Sequence, residues 1–184
     1  MNVLFLGGIF NRAKEKEILK KSKKFMNVAA NAHQWHILNG IKNRKDINLS
    51  VLNTVFVGTY PREYTDIYIP GGEWNEPGLS VREIGYINLF GVRSVIKAFS
   101  LYFRIKEWCK AHCKGIDNAD ISYKSPCEFN PCKASPEPSE KEKNIILIYS
   151  MNTPFLIASY FAKKRFKNIK LCLYVPDLPY FFYI

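Results

Sequence analysis

Residues 169–179, IKLCLYVPDLP, constrain the fold more than any other stretch of this chain. Ile169, Leu171, Leu173 and Val175, with Cys172 and Tyr174 between them, form a near-continuous apolar run. Such a run predicts a parallel strand covered on both faces. Asp177 follows where an open α/β sheet places its ligand groups, at the carboxyl edge of a strand. The sequence ends at Ile184, soon after this edge, with one wall of a cleft and no second wall. The expectation is half of a two-domain protein.

The rest of the chain alternates strand and helix signals. Asn2–Leu6 is an apolar strand ended by Gly7-Gly8, and Asn11–Lys24 is a basic segment. From Phe25 to Ile41, Val28, Ala32, Trp35, Ile37 and Leu38 recur near helical spacing. Asn48–Val57 reads as a second strand region interrupted by Asn53, Thr65–Ile69 as a short strand, and Val81–Phe90 as another. The Gly71-Gly72 to Pro77-Gly78 stretch reads as loop. Arg93–Lys114 is the longest helix candidate, with Val95, Phe99, Tyr102, Ile105 and Trp108 on one stripe. Gly115–Lys143 is rich in Ser, Pro, Glu and Lys and reads as a flexible surface insertion. Order resumes with a buried strand at Asn144–Tyr149, a helix at Thr153–Arg165 and the closing strand at Asn168–Val175. Thr153-Pro154 fits an N-cap followed by proline at the first helical position. This alternation predicts an α/β, Rossmann-like parallel sheet with flanking helices in a single domain spanning residues 1–184.

The 184 residues are 47% hydrophobic and 23% charged, the balance of a globular domain, and no run approaches the ~18 apolar residues of a membrane span. The N-terminus lacks a basic region before its apolar stretch, so it reads as a strand and not as a signal peptide, which implies a cytoplasmic location and reduced thiols. A net charge of +11 has two readings: lysines covering solvated helix faces, or attraction to anionic lipid headgroups and phosphorylated substrates. No nucleic-acid-binding signature accompanies the charge.

Several constellations bear on chemistry, each with a plainer alternative. Gly7-Gly8 lets backbone approach a ligand closely or simply makes a tight turn; neither the dinucleotide fingerprint nor a P-loop is present. Asn31 and Gln34, three apart on one helix face, could hydrogen-bond sugar hydroxyls while Trp35 stacks on the ring. The alternative is that Trp35 is core and the amides cap loops. Tyr149, Ser150, Asn152 and Thr153 join a strand to a helix at the same sheet edge, where capping and ligand binding can coexist. Asp177 could act as a base, steer a substrate hydroxyl, or cap the next helix. Cys109, Cys113, Cys127 and Cys132 lack the spacing of a zinc knuckle or ribbon, no metal is expected, and Cys172 reads as core packing.

Together these pieces resemble the N-terminal half of bacterial glycosyltransferases of family 4, in the subgroup associated with capsule and exopolysaccharide synthesis. The resemblance rests on MNVLFLGGIF, NVAANAHQWHILNG, VGTYPREY, YSMNTPFL and VPDLP in this order, and covers nearly the whole chain outside the insertion. It implies a GT-B architecture, with two Rossmann-like domains facing across a cleft, and retaining transfer of a sugar from a nucleotide-sugar co-substrate without a required metal. The half seen here would hold the acceptor, a glycan or lipid-linked sugar. The donor-binding half would be missing. Gly7, Gly8, Asn31, Gln34, Tyr149, Ser150, Asn152 and Thr153 would then line the acceptor cleft, and Asp177 would be the catalytic or acceptor-orienting group. The pattern departs at Lys23-Lys24, where relatives carry glycines, and at Pro176 and Asn152, where relatives carry histidines. Peripheral contact with an anionic membrane is expected from the charge, and a nucleic-acid partner is not. A stand-alone binding module for a glycan or partner, or an inactive truncated fragment, is the alternative.

Overall fold

The computed structural model describes residues 1–24, 26, 28–113 and 143–176. Its frame is a six-stranded sheet in the order β4-β5-β2-β1-β7-β8. The strands are β1 (Asn2–Gly7), β2 (Asn48–Asn53), β4 (Gly72–Glu76), β5 (Leu79–Glu83), β7 (Asn144–Tyr149) and β8 (Ile169–Tyr174). All neighbours pair parallel except β4 and β5, an antiparallel hairpin turned at Gly78 with φ +75°. A separate small ribbon pairs β3 (Tyr68–Ile69) with β6 (Tyr86–Ile87). The helices are α1 (Glu15–Lys21), α2 (Val28–Lys42), α3 (Val92–His112) and α4 (Thr153–Arg165). This is the α/β, Rossmann-like fold.

The central strands explain the apolar runs. β1 is buried along its whole length between β2 and β7, so it cannot alternate. On one face Leu4, Leu6, Ile146 and Ile148 meet Leu101, Ile105 and Trp108 of α3 and Phe155 of α4. On the other, Phe5, Val51 and Val81 meet Trp35 and Leu38 of α2. A third cluster, built on Phe10, Val55, Val57, Tyr64 and Tyr86, packs the loops beyond the carboxyl ends of the strands.

The structure corrects several sequence expectations. The closing strand is an edge strand: only Ile169 is buried, and Lys170 to Tyr174, Cys172 included, are exposed among the described residues. An apolar run records what can pair into a sheet; it does not record what covers the pair. The long helix buries Lys97, Ala98, Leu101, Ile105, Trp108 and Cys109, so Val95 and Phe99 point to solvent and the buried stripe is rotated from the expected one. The 71–78 stretch expected as loop forms β4, and the single strand expected over Val81–Phe90 is broken into β5 and β6. Finally, Asn152 and not Thr153 is the N-cap of α4, with no side-chain capping bond. The expected insertion at 115–143 lies outside the described residues, apart from Lys143.

Candidate functional site

Taken in chain order, the parallel strands are arranged third, second, first, fourth, fifth across the sheet. The direction of chain progression therefore reverses between β1 and β7. At such a switch point the connecting loops diverge to opposite faces and leave a crevice at the carboxyl edge. A cleft of about 170 Å³ occupies that place, lined by Gly8, Asn31, Gln34, Tyr149 and Ser150 with Phe56 and Pro176.

The cleft floor is held by buried amides. Gln34 is fully buried; its Oε1 accepts from the Gly8 amide at 2.8 Å, and its Nε2 donates to the Ala30 carbonyl at 3.2 Å. Asn31 Oδ1 accepts from the Phe10 amide at 2.9 Å. Asn53, at the end of β2, accepts from the Ile9 amide and donates to the Ile9 carbonyl, both at 2.8 Å. These three side chains supply the partners that the backbone of residues 8–10 needs once it leaves the sheet. Gly8 is obligatory for a different reason. A Cβ there would stand 2.3 Å from the Phe56 ring.

The opposite wall begins at Ser150, which has φ +69°, a conformation that costs a non-glycine residue about 1–3 kcal/mol. Its amide donates to the Tyr174 carbonyl at 2.8 Å, so the turn is held against β8. Above it Tyr149 and Tyr174 stack at 5.8 Å, and His33 bridges them. The Tyr174 hydroxyl lies 3.0 Å from His33 Nε2, and the Tyr149 hydroxyl 3.4 Å from His33 Nδ1. Tyr149 is buried under Tyr174 and against Phe5, so of the three rings only Tyr174 and His33, beside the cleft, leave aromatic surface open to a polyhydroxylated ring, whose faces are apolar and whose edges carry hydroxyls.

Of the predicted site residues, Gly8, Asn31, Gln34, Tyr149 and Ser150 come together in this cleft. Gly7 lies behind it, packed on the Phe5 ring and Gln34. Asn152 and Thr153 line a neighbouring hollow across Phe56. Asp177 lies outside the described residues, as do Cys127 and Cys132. Trp35 is core, against Trp74 and beneath Arg12, and does not line the cleft. The Cys109 thiol is pushed up to about 12 by burial first, which makes it a poor ligand near neutrality. Among the described residues no group of three metal-ligating side chains is found.

The sequence reading missed His33, Asn53, Phe56 and Tyr174. The strand interruption at Asn53 carried a signal, because a buried amide at a strand's exit commonly holds an adjacent loop. The other three are brought in by topology alone. A larger hollow of about 680 Å³ lies by β4, β5 and α3, but most of its charges are taken up, Arg82 pairing with Glu73 at 2.9 Å and Arg104 with Glu107 at 2.9 Å, while Glu83 accepts from Asn53. In comparisons with known proteins, no family model, no curated protein and no solved structure matches this chain.

Proposed function

We propose that this domain is the acceptor-holding half of a retaining GT-B glycosyltransferase. It works with a second, donor-binding Rossmann-like half and moves a sugar from a nucleotide-sugar to a glycan or lipid-linked acceptor. The observation that carries the reading is the convergence of Gly8, Asn31, Gln34, Tyr149 and Ser150, from three separate stretches of sequence, on the crevice at the switch point. In this reading the acceptor sugar sits over the Ser150 turn, which contacts its hydroxyls, with the partly exposed Tyr174 and His33 beside it. Catalysis is then chiefly positional and electrostatic: an acceptor hydroxyl is held beside the anomeric carbon while the donor half neutralises the departing diphosphate. No metal enters that scheme. Exposed aromatics on α3 and α4, with the net charge of +11, favour work at the anionic cytoplasmic face of a membrane.

The test is an amide NMR titration of the 184-residue chain with oligosaccharides and a short prenyl-linked saccharide. Saturable shifts at Gly8, Phe10 and Ser150 are expected. Shifts absent from those residues at millimolar saccharide sink the reading. Transfer itself is measured on the product of the whole reading frame that holds these residues, using radiolabelled nucleotide-sugars. Binding without movement of label under any donor would leave a glycan-binding module.

A further inference from the structure

Across Phe56 from the cleft lies a second hollow, of about 430 Å³, where α3 and α4 begin. Arg93 and Lys97 line it from α3, one helical turn apart and therefore on one face. Asn152 and Thr153 line it from the start of α4, and among the described residues no carboxylate lines it. Lys97 is the informative side chain. It is only 6% exposed, yet it takes part in no salt bridge among the described residues. Its ammonium stands 3.8 Å from the centroid of the Tyr86 ring, whose own hydroxyl donates elsewhere, to the Val55 carbonyl.

Burying an ammonium without an anion is costly, and the neighbouring guanidinium of Arg93 adds to the cost. Arg93 donates to the Val57 carbonyl at 3.3 Å and gains no carboxylate there; Glu63, which feels its charge, is paired with Lys24 at 2.9 Å. The helix ends sharpen the imbalance. Neither α3, capped by Gly91, nor α4, capped by Asn152, has a side-chain capping bond or an acidic residue in its first turn. Each end therefore presents partial positive charge that no side chain of the described residues caps.

We propose that this hollow is an oxyanion site for a phosphate-bearing ligand, held by Arg93 and Lys97 between the N-termini of α3 and α4. A phosphate dianion matches two cations where a carboxylate matches one. The guanidinium offers a planar fork and the ammonium a point charge, the pair commonly used on phosphate. The site does not rest on the sugar-transfer reading, since its argument uses only Arg93, Lys97 and the two helix ends. Ser94, Thr153 and Pro154 also line an apolar groove of about 420 Å³ between α3 and α4, with Phe99, Ile157 and Phe161. A phosphate here can therefore be that of a nucleotide or that of a lipid.

The experiment is calorimetric titration of the full chain at fixed ionic strength and pH 7, with inorganic phosphate as the probe. Saturable one-to-one binding is expected, weakened at least tenfold by Arg93→Gln and by Lys97→Met, and unchanged by Lys163→Gln on the far end of α4. UDP and geranyl phosphate are then compared; the tighter one names the source. Absence of saturable binding overturns the site. So does binding that survives both substitutions, which would assign the anion to the diffuse positive field. Arg93→Gln replaces a partly exposed side chain, so a folding defect in the lysine variant would not remove the test.

Discussion

Gln34 is where one side chain holds the cleft together. It is fully buried and serves the Gly8 amide and the Ala30 carbonyl at once. Gln34→Leu keeps the volume but strands the Gly8 N–H, a loss of about 1–3 kcal/mol for an unsatisfied buried donor. Urea denaturation should show a lower midpoint with an unchanged slope, and glycan binding should weaken because the loop loses its brace. Ser150 acts in the opposite sense. Replacing it with glycine relieves the φ of +69° and should raise stability by about 1 kcal/mol, less glycine's own entropic cost. Ser150→Ala keeps the strain and should show no such gain; if alanine stabilised as much as glycine, the strain argument would fall. The sequence made both residues visible as polar groups, Gln34 on a helix face and Ser150 at a strand exit, but not their roles. Asn31 and Gln34 read more readily as loop caps than as sugar ligands, and the distances to Phe10 and Gly8 show that they brace backbone.

At the scale of elements, α3 combines a core face with a buried charge. The amphipathic stripe drawn from Val95 and Phe99 was offset because large apolar residues occur all round this helix, so periodicity alone could not choose a face. α4, by contrast, was legible to within one residue at its cap, because Pro154 marks its first turn and basic residues gather where it ends. β8 misled for a physical reason already given: pairing and covering leave the same apolar signature. Within α3, desolvation first and the charge of Arg93 second pull Lys97 from its ordinary value down to about 7. The Tyr86 ring faces the ammonium from β6. In the unfolded chain Lys97 holds its proton up to about pH 10.5, while in the fold it releases it near 7. Between those values the unfolded state binds more protons, so folding stability rises with pH, by on the order of a few kcal/mol across the window. Lys97→Met removes this dependence. It should be more stable than the parent at pH 6, with the difference shrinking by pH 9, below the range where tyrosines ionise. Denaturant midpoints at the two pH values check it; a constant difference between parent and variant would mean that Lys97 is not desolvated.

For the whole molecule, the sheet order matters more than any motif. No local pattern announces that β1 lies between β2 and β7, yet this order creates the switch point and gathers Gly8 and Ser150 on one crevice. The same architecture leaves α3 and α4 side by side, and among the described residues no other element covers their outer faces. Phe99 and Phe103 on α3, and Tyr160 and Phe161 on α4, are all more than half exposed. Lys163, Lys164 and Arg165 close α4 beside them. Exposed aromatics rimmed by cations suit an anionic bilayer, since the rings enter the interface while the cations meet headgroups. The two contributions separate experimentally, because Coulomb attraction is screened by salt and apolar insertion is not. Sedimentation with vesicles of phosphatidylglycerol and phosphatidylcholine should show binding that weakens from 50 mM to 500 mM salt without vanishing. Phe99→Ser and Phe161→Ser should each reduce the salt-resistant part about tenfold, in keeping with the transfer free energy of an aromatic side chain. Lys163→Gln with Lys164→Gln should reduce the salt-sensitive part and leave the remainder. If both pairs altered only the salt-sensitive part, the aromatics would not enter the bilayer, and contact with the membrane would reduce to charge.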